Sequence, residues 1–188
     1  MKVGLIAIVV IAVLLLGFGM KLVGVRNDLV TQREAVNGAW AQVDVALQRR
    51  ADLIPNLVET VKGFAKHEQG VIDSVTQARA ALGAARTPAE KIQANQQVDS
   101  ALSRLLVVVE NYPNIKSDQN FLNLQRELAG TENRIAVERR KYNETVQRYN
   151  TTIELFPNNI AASLFGFARN DAYFKTDPGA RAVPNVKF

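Results

Sequence analysis

The sequence predicts an all-α protein in which an amino-terminal transmembrane helix continues into an antiparallel, up-and-down four-helix bundle. Two observations carry this prediction: an uncharged apolar run of membrane-spanning length, and apolar residues at helical spacing through most of the remaining chain. A short amphipathic helix and a flexible tail are expected after the bundle. We therefore divide the chain into an anchor at residues 1–23, a bundle at 24–156 and a carboxyl-terminal segment at 157–188.

The composition excludes several classes of function. The chain has no cysteine, which excludes disulfides, iron–sulfur clusters, cysteine-ligated zinc and catalytic thiols. Its 23 basic and 18 acidic residues do not require a nucleic-acid partner, because nucleic-acid-binding proteins carry a clustered basic face with aromatic platforms. The single histidine, His67, precedes Glu68, but a zinc-protease motif needs a second histidine where this chain has Val71. We expect no cofactor, no bound metal and no catalytic residue.

The predicted anchor is the apolar run from Val3 to Met20, which Lys2 and Lys21 flank. At about 1.5 Å per residue it spans about 27 Å as a helix, close to the ~30 Å hydrocarbon core of a bilayer. A cleaved signal peptide is the alternative, but the sequence at residues 17–20 offers no cleavage site of A-x-A type. The positive charges on the two sides are too evenly balanced to assign the membrane side.

Helical spacing predicts that the membrane helix continues to about Arg50 and that a second helix begins near Asp52. Asp52 is expected to cap this second helix, and Pro55 falls in its first turn, where a missing N–H costs least. The apolar stripe of the second helix runs over residues 54–82, and Glu68 occupies its one polar step.

A capping box predicts the start of the third helix, with Thr87 as N-cap, Pro88 at the first helical position and Glu90 at the third. This helix is expected to end before Pro113, because the residue preceding a proline disfavours the α region. Ser117 is expected to cap the fourth helix.

The fourth helix carries large apolar residues at strict seven-residue intervals, a pattern typical of a bundle core rather than a cofactor site. Because short connections make successive helices antiparallel, the far end of this stripe is expected near the bilayer. The stripe consists of Phe121, Leu128, Ile135, Tyr142, Tyr149 and Phe156.

The segment after the fourth helix is rich in phenylalanine. We expect it to form a short amphipathic helix that closes the base of the bundle and contacts the membrane interface, where aromatic rings are favoured. The candidate membrane-interface residues are Phe165, Phe167 and Phe174. A plain cap on the bundle core is the competing interpretation.

Charged residues on the apolar stripes are candidate buried polar groups: Glu68 in the second helix, and Glu138 beside Arg139 in the fourth. A buried carboxylate must be paired, or its pKa must rise. One interpretation is a polar layer that fixes helix register or forms a small binding site. The other, which we favour, is that these side chains lie at the edge of the core and stay solvated.

Four stretches of the chain strongly resemble the LemA family. They are WAQVDVALQRRADLIPNLVETVKGFAKHE at residues 40–68, ENYPNIK at 110–116, FLNLQRELAGTENRIA at 121–136 and YNETVQRYN at 142–150. The resemblance extends from about Arg26 to Phe174. It implies a bacterial membrane-associated protein with an amino-terminal anchor and an antiparallel four-helix bundle, and it implies no cofactor and no catalytic residue.

Motif residues at two predicted turns form a candidate partner surface. The predicted topology places both turns at the membrane-distal end of the bundle. The surface consists of Arg49, Arg50, Asp52, Asn56, Glu110, Asn111 and Tyr112. Structural capping of the two turns is the competing interpretation.

The leading functional hypothesis is a single-pass scaffold of the bacterial cytoplasmic (inner) membrane. Its expected partners are the lipid bilayer, a second copy of the chain and other envelope proteins such as membrane metalloproteases, near which family members tend to be encoded. Some relatives look like lipoproteins with Gly-Cys-Gly where this chain has Gly-Phe-Gly at residues 17–19, which favours an extracytoplasmic (periplasmic) domain. The alternative is a ligand-binding or sensory bundle with a polar pocket around Glu68, Tyr142 and Tyr149.

Overall fold

The computed structural model describes residues 2–65 and 67–175 of the chain. Within this part of the chain all regular structure is helical, which confirms the all-α prediction. The flexible tail predicted after Thr176 lies outside the described residues. The helices are α1 (Lys2–Phe64), α2 (Gln69–Ala84), α3 (Pro88–Val109), α4 (Pro113–Lys116), α5 (Gln119–Glu154) and α6 (Asn158–Leu164).

These helices group into two compact units. The first unit comprises Met1–Ala39 and Glu144–Asp171, and the second comprises Trp40–Asn143 and Ala172–Phe188. Helices α1 and α5 each contribute to both units, whereas α2, α3 and α4 belong to the second unit and α6 to the first.

The first unit contains the apolar amino-terminal part of α1. Leu14, Leu15 and Leu16, which point in successive directions around the helix, expose 65–67% of their surfaces. Among the described residues, α1 is the one helix long and apolar enough to cross a membrane. Apolar side chains on all sides are typical of a membrane-spanning helix, so the predicted anchor has the surface that a bilayer requires.

The core of the first unit forms where α1, α5 and α6 bury apolar side chains. Beyond α6 the chain returns to α5, where the Tyr149 hydroxyl donates to the Ala168 carbonyl over 3.0 Å. The Asn150 amide donates to the Asn170 carbonyl and accepts from the Asn170 N–H, over 2.7 and 2.9 Å. The buried side chains are Leu29, Val36, Val146, Tyr149, Asn150, Ile153, Ala161 and Ala162.

In the second unit α1 continues to Phe64, so the predicted helix break between Arg50 and Asp52 is wrong. Pro55 lies inside the helix and lacks the N–H that would bond the carbonyl of Ala51. The Nε of Arg79, on α2, donates to that carbonyl over 2.9 Å. This hydrogen bond from α2 thus replaces the intrahelical bond that the proline removes, and α1 continues past Pro55 without a break.

The placement of Asp52 changes accordingly. Asp52 is exposed in the middle of α1 and accepts a hydrogen bond from Gln48 over 2.7 Å, so it does not cap a helix. The connection between α1 and α2 falls at residues 65–68 instead. Glu68 lies in this connection rather than on a helical stripe.

The capping box at the start of α3 is confirmed. The Thr87 hydroxyl accepts from the Glu90 N–H over 3.2 Å, and the Glu90 carboxylate accepts from the backbone N–H groups of Arg86 and Thr87 over 2.7 and 3.0 Å. Those two backbone donors lower the pKa of Glu90, because they stabilise its ionised form.

The predicted cap of the fourth helix is wrong by one residue. Pro113 begins the single-turn helix α4, and Ser117 ends it, donating its hydroxyl to the Asn114 carbonyl. Asp118 instead accepts from the Phe121 N–H over 2.9 Å at the start of α5. Along α5 four residues of the seven-residue stripe are buried and Leu128 is half-buried, but Phe156 follows the end of the helix and is exposed. The four buried residues are Phe121, Ile135, Tyr142 and Tyr149.

The bond between Arg79 and the Ala51 carbonyl predicts a specific energetic coupling. We expect Arg79→Met to lower the free energy of unfolding by about 1–3 kcal/mol, because it leaves the carbonyl of Ala51 without a donor. In a Pro55→Ala background the loss should shrink by about 1 kcal/mol, since the alanine restores an N–H within α1.

Denaturant unfolding of the full-length chain in detergent, followed by circular dichroism, measures all four members of this cycle. Arg104→Met, on the exposed side of α3, is the control for loss of an arginine without this bond. Equal losses for Arg79→Met in both backgrounds would show that the two sites act independently.

Candidate functional site

A buried arginine on α1 organises the polar interior of the second unit. Arg50 exposes 6% of its surface. Its Nη1 pairs with Asp99 of α3, lies 2.9 Å from Oε2 of Glu132 on α5, and is 3.4 Å from Oδ1 of Asn95 on α3. Three helices therefore meet at one guanidinium group.

Asp99 is the second centre of this cluster. Its Oδ2 accepts from the amide of Asn95 over 3.1 Å and from Nη2 of Arg139, on α5, over 3.4 Å. We call Arg50, Asn95, Asp99, Glu132 and Arg139 the arginine layer. Its two guanidinium and two carboxylate groups balance in charge, so their mutual attraction offsets part of the cost of removing the Arg50 guanidinium from water.

Of the three candidate buried polar residues, Arg139 belongs to the arginine layer and the other two do not. Glu138 is half-buried and pairs with Lys141 on its own helix over 3.1 Å, while Glu68 lies outside any helix. The layer residue Arg50 was assigned from sequence to a partner surface, and its burial shows that placement to be wrong.

Sequence spacing contained a signal for Arg50. The buried α1 residues Val43, Leu47, Ile54 and Leu57 recur at intervals of three, four or seven, and Arg50 falls between Leu47 and Ile54 on the same stripe. The helix break inferred from Pro55 hid this position. Asn95 likewise stands between the buried Ile92 and Val98 on α3.

An aromatic cluster stands beside the layer. The rings of Trp40 and Tyr142 meet edge to face at 5.2 Å between centroids, and Phe174 contacts both at 6.2 and 6.1 Å. The Arg139 guanidinium lies 5.0 Å above the Phe174 ring, and the Asn143 side chain bonds both the N–H and the carbonyl of Phe174. These contacts account for Phe174 without a membrane.

The other two candidate membrane-interface residues lie in the first unit. The guanidinium of Arg26 is 5.8 Å from the centroid of the Phe165 ring, and that of Arg33 is 5.4 Å from the Phe167 ring. Arg33 and burial also act on the neighbouring Tyr149, where burial dominates and raises the pKa of the hydroxyl.

The predicted partner surface separates into two places. Tyr112, in the turn after α3, donates its hydroxyl to Glu68 over 2.9 Å, and this bond raises the pKa of Tyr112. Glu110 in the same turn pairs with Lys116 at the end of α4, and Asn111 is exposed beside it. The turn after α3 therefore meets the connection at residues 65–68.

Arg49, Asp52 and Asn56 lie within α1, not at a turn, so their predicted placement is wrong. At 1.5 Å per residue, Asp52 lies about 20 Å along the helix from Ala65, where the connection to α2 begins. The two groups of motif residues are therefore well separated. Whether a partner binds either group stays a prediction.

Asn56, one of these α1 residues, lines an exposed polar groove. Arg49 pairs with Glu127 of α5 over 3.2 Å. Next to this pair, α1 and α5 enclose an open groove of about 480 Å³. Its lining, which we call the polar groove, consists of Asn56, Glu59, Thr60, Asn120, Asn123, Leu124 and Glu127. Five of these seven residues carry amide or carboxylate groups, which suits hydrogen bonding to another protein.

The residues proposed for a ligand pocket are not brought together. Tyr142 is fully buried in the aromatic cluster, and the Glu68 carboxylate is engaged by Tyr112. For metal binding, residues 2–65 and 67–175 contain no group of three His, Asp or Glu side chains close enough to hold an ion.

Comparison with known proteins identifies one family and several relatives. The profile of the LemA family matches residues 39–188. Magnetosome protein MamQ 2 of Paramagnetospirillum magneticum is 29% identical in a 199-residue alignment that covers 92% of this chain and 73% of that protein. MamQ of Magnetospirillum gryphiswaldense is 26% identical over 178 residues, covering 81% and 65%. Protein LemA of Metamycoplasma hominis is 24% identical over 141 residues, covering 74% and 64%.

These matches confirm the family resemblance seen in the motifs. Together with the apolar part of α1, they indicate a membrane-associated helical protein.

The arginine layer predicts a sharp difference between two adjacent arginines. Arg50→Met should lower the free energy of unfolding by about 1.5–3 kcal/mol, because it removes the buried cation that Asp99 and Glu132 both contact, while Arg139 stays beside Asp99. Arg49→Met removes an exposed ion pair with Glu127 and should cost less than about 1 kcal/mol.

Chemical denaturation of the full-length variants in detergent provides the comparison, since the two substitutions make the same chemical change one residue apart. Similar small losses for both would contradict a stabilising role for the layer.

Proposed function

Because the chain belongs to the LemA family, we propose that it is a single-pass, membrane-anchored helical scaffold that docks a protein partner through its second unit. The polar groove is the observation that carries this proposal. It presents exposed amide and carboxylate groups along two long helices, whereas the charged groups of the interior are engaged with one another in the arginine layer. Rigid helices with exposed polar groups suit recognition of another folded surface.

We propose that the second unit is an antiparallel four-helix bundle formed by α1, α2, α3 and α5. Contacts between α1 and α3 follow the same order along both helices, while contacts between α1 and α5 follow opposite orders, as an up-and-down bundle requires. The supporting pairs are Asp44 with Lys91 and Arg50 with Asp99, then Trp40 with Tyr142 and Arg49 with Glu127.

The proposed role is binding and not catalysis. Arg50, Asp99 and Arg139, the most closely packed ionic groups of the second unit, are engaged with one another in ion pairs. A catalytic acid or base must instead face a substrate with a pKa near the working pH. The ligand-binding alternative has less support, because Tyr142 and Glu68 do not line a common pocket.

The partner that we propose is a second copy of the chain or another envelope protein, with membrane metalloproteases as candidates from the family resemblance. We place the second unit on the extracytoplasmic side of the bacterial inner membrane, following the lipoprotein-like relatives. The matches to magnetosome proteins support a role at a membrane.

Photocrosslinking in intact membranes tests docking at the polar groove. A benzophenone amino acid replaces Asn56 or Asn123 in the groove and, as a control, Arg104 on the exposed side of α3. We expect adducts from both groove positions and few from the control. An adduct of twice the 20.7 kDa chain identifies self-association, and another mass identifies a different protein. Equal yields at all three positions, or monomer alone, would refute docking at the groove.

Thiol labelling of intact cells tests the side of the membrane. Since the chain has no cysteine, Arg104→Cys introduces a single exposed thiol in the second unit. We expect a maleimide that does not cross the inner membrane to label it in intact cells, with the unsubstituted chain as the blank. Labelling that requires lysis of the inner membrane would place this unit in the cytoplasm.

A further inference from the structure

An exposed apolar patch lies at the end of α5 and along α6 in the first unit. Ile160 and Leu164 stand four residues apart and share one face of α6, while Ala161 and Ala162 are buried on the other. We call the exposed set the α6 patch; it consists of Leu155, Phe156, Ile160, Leu164 and Phe165. Phe156 is 79% exposed and Leu164 66%. Contiguous apolar exposure of this kind marks a surface that another apolar phase covers.

The contact between Arg26 and Phe165 fixes the height of this patch along α1. Arg26 follows Met20, the last residue of the uncharged run, by six residues, which is about 9 Å at 1.5 Å per residue. Val23, to which the span can extend, is only about 5 Å away by the same measure. The interfacial layer outside the hydrocarbon core is about 5–7 Å thick on each side of a bilayer. With α1 spanning the bilayer as far as Val23, Phe165 falls at the level of the lipid headgroups.

The chain after α6 then moves away from the membrane segment. Gly166 has a φ of 71°, and its N–H and that of Phe167 donate to the carbonyls of Ser163 and Ala162. This arrangement is a Schellman motif, which ends a helix and reverses the chain. The turn places the Phe167 ring against the guanidinium of Arg33, which is about 10 Å beyond Arg26 along α1. The α6 patch precedes this turn, at the membrane end of the unit.

The side chains around the patch match the chemistry of a bilayer surface. Lys21 and Arg26 follow the apolar run and are exposed, so their cationic ends can reach lipid phosphates while their stems stay in apolar surroundings. Aromatic residues such as Phe156 and Phe165 belong among those favoured at the membrane interface. The exposed apolar side chains, the neighbouring cations and the position along α1 all match a lipid bilayer as the occupant of the α6 patch.

We propose that the α6 patch is embedded in the interfacial layer of the bilayer that α1 spans, with lipid headgroups and upper acyl chains as its occupant. The inference rests on the proposed membrane anchor. It makes α6 a second, non-spanning membrane contact that holds the base of the first unit against the bilayer.

Site-specific quenching in proteoliposomes tests this proposal on the full-length chain. Single cysteines are introduced at Phe156, Ile160 or Leu164, and each thiol carries a small environment-sensitive fluorophore. Leu14→Cys, in the apolar run, reports on the anchor itself. Val45→Cys, in the second unit, is the exposed apolar control, since its side chain is 61% exposed.

We expect lipid-attached quenchers to act on the α6 positions several-fold more strongly than on Val45→Cys, and aqueous iodide to act several-fold less. The unlabelled thiols provide a second readout, because an impermeant maleimide should modify them about tenfold more slowly than Val45→Cys. This second readout excludes insertion driven by the fluorophore.

The remaining outcomes separate the two proposals. If Leu14→Cys escapes the lipid quencher, the anchor itself is refuted. If Leu14→Cys is quenched but the α6 positions behave like Val45→Cys, the anchor stands and the α6 inference is overturned. Protection from iodide at α6 without lipid quenching identifies a protein occupant and also overturns it.

Discussion

The guanidinium group of Arg50 is the constraint on which the second unit depends. A charge with 6% exposure is stable only where opposite charges reach it, and Asp99 and Glu132 do so from two different helices. Sliding either helix by one turn would move its carboxylate by about 5.4 Å and leave the buried guanidinium with one counter-charge instead of two. Apolar packing is less directional, so the arginine layer favours this register of α3 and α5 against α1.

Two backbone features, one in α3 and one in α1, are stabilised by interactions of very different range along the sequence. The capping box at Thr87 satisfies the first turn of α3 with residues three apart in sequence. Pro55 instead needs Arg79, which is on another helix, to satisfy the carbonyl of Ala51. The first feature stabilises its helix wherever the helix lies; the second makes the continuity of α1 conditional on the packing of α2.

The range of an interaction along the sequence determines whether the feature it stabilises could be predicted from the sequence. The apolar anchor, the start of α3 and the buried stripe of α5 follow from residues within a turn or two of one another, and the structure contains all three. The helix break at Arg50 and the surface role of that arginine were wrong, because Arg79 and Asp99 lie 28 and 49 residues away from their partners. The contact of Phe174 with Trp40 and Tyr142 could not be predicted for the same reason. Spacing along a single helix carries no information about a ring from a distant part of the chain.

The glycine turn after α6 has a consequence for how this region can vary in length. Gly166 separates Phe165 from Phe167 by one residue, and each phenylalanine faces a different arginine of α1. Surface segments without regular structure ordinarily accept insertions and deletions. Here one added or missing residue would carry Phe167 past its arginine and break the Schellman bonds, so natural variants of this segment should differ by substitution and keep their number of residues.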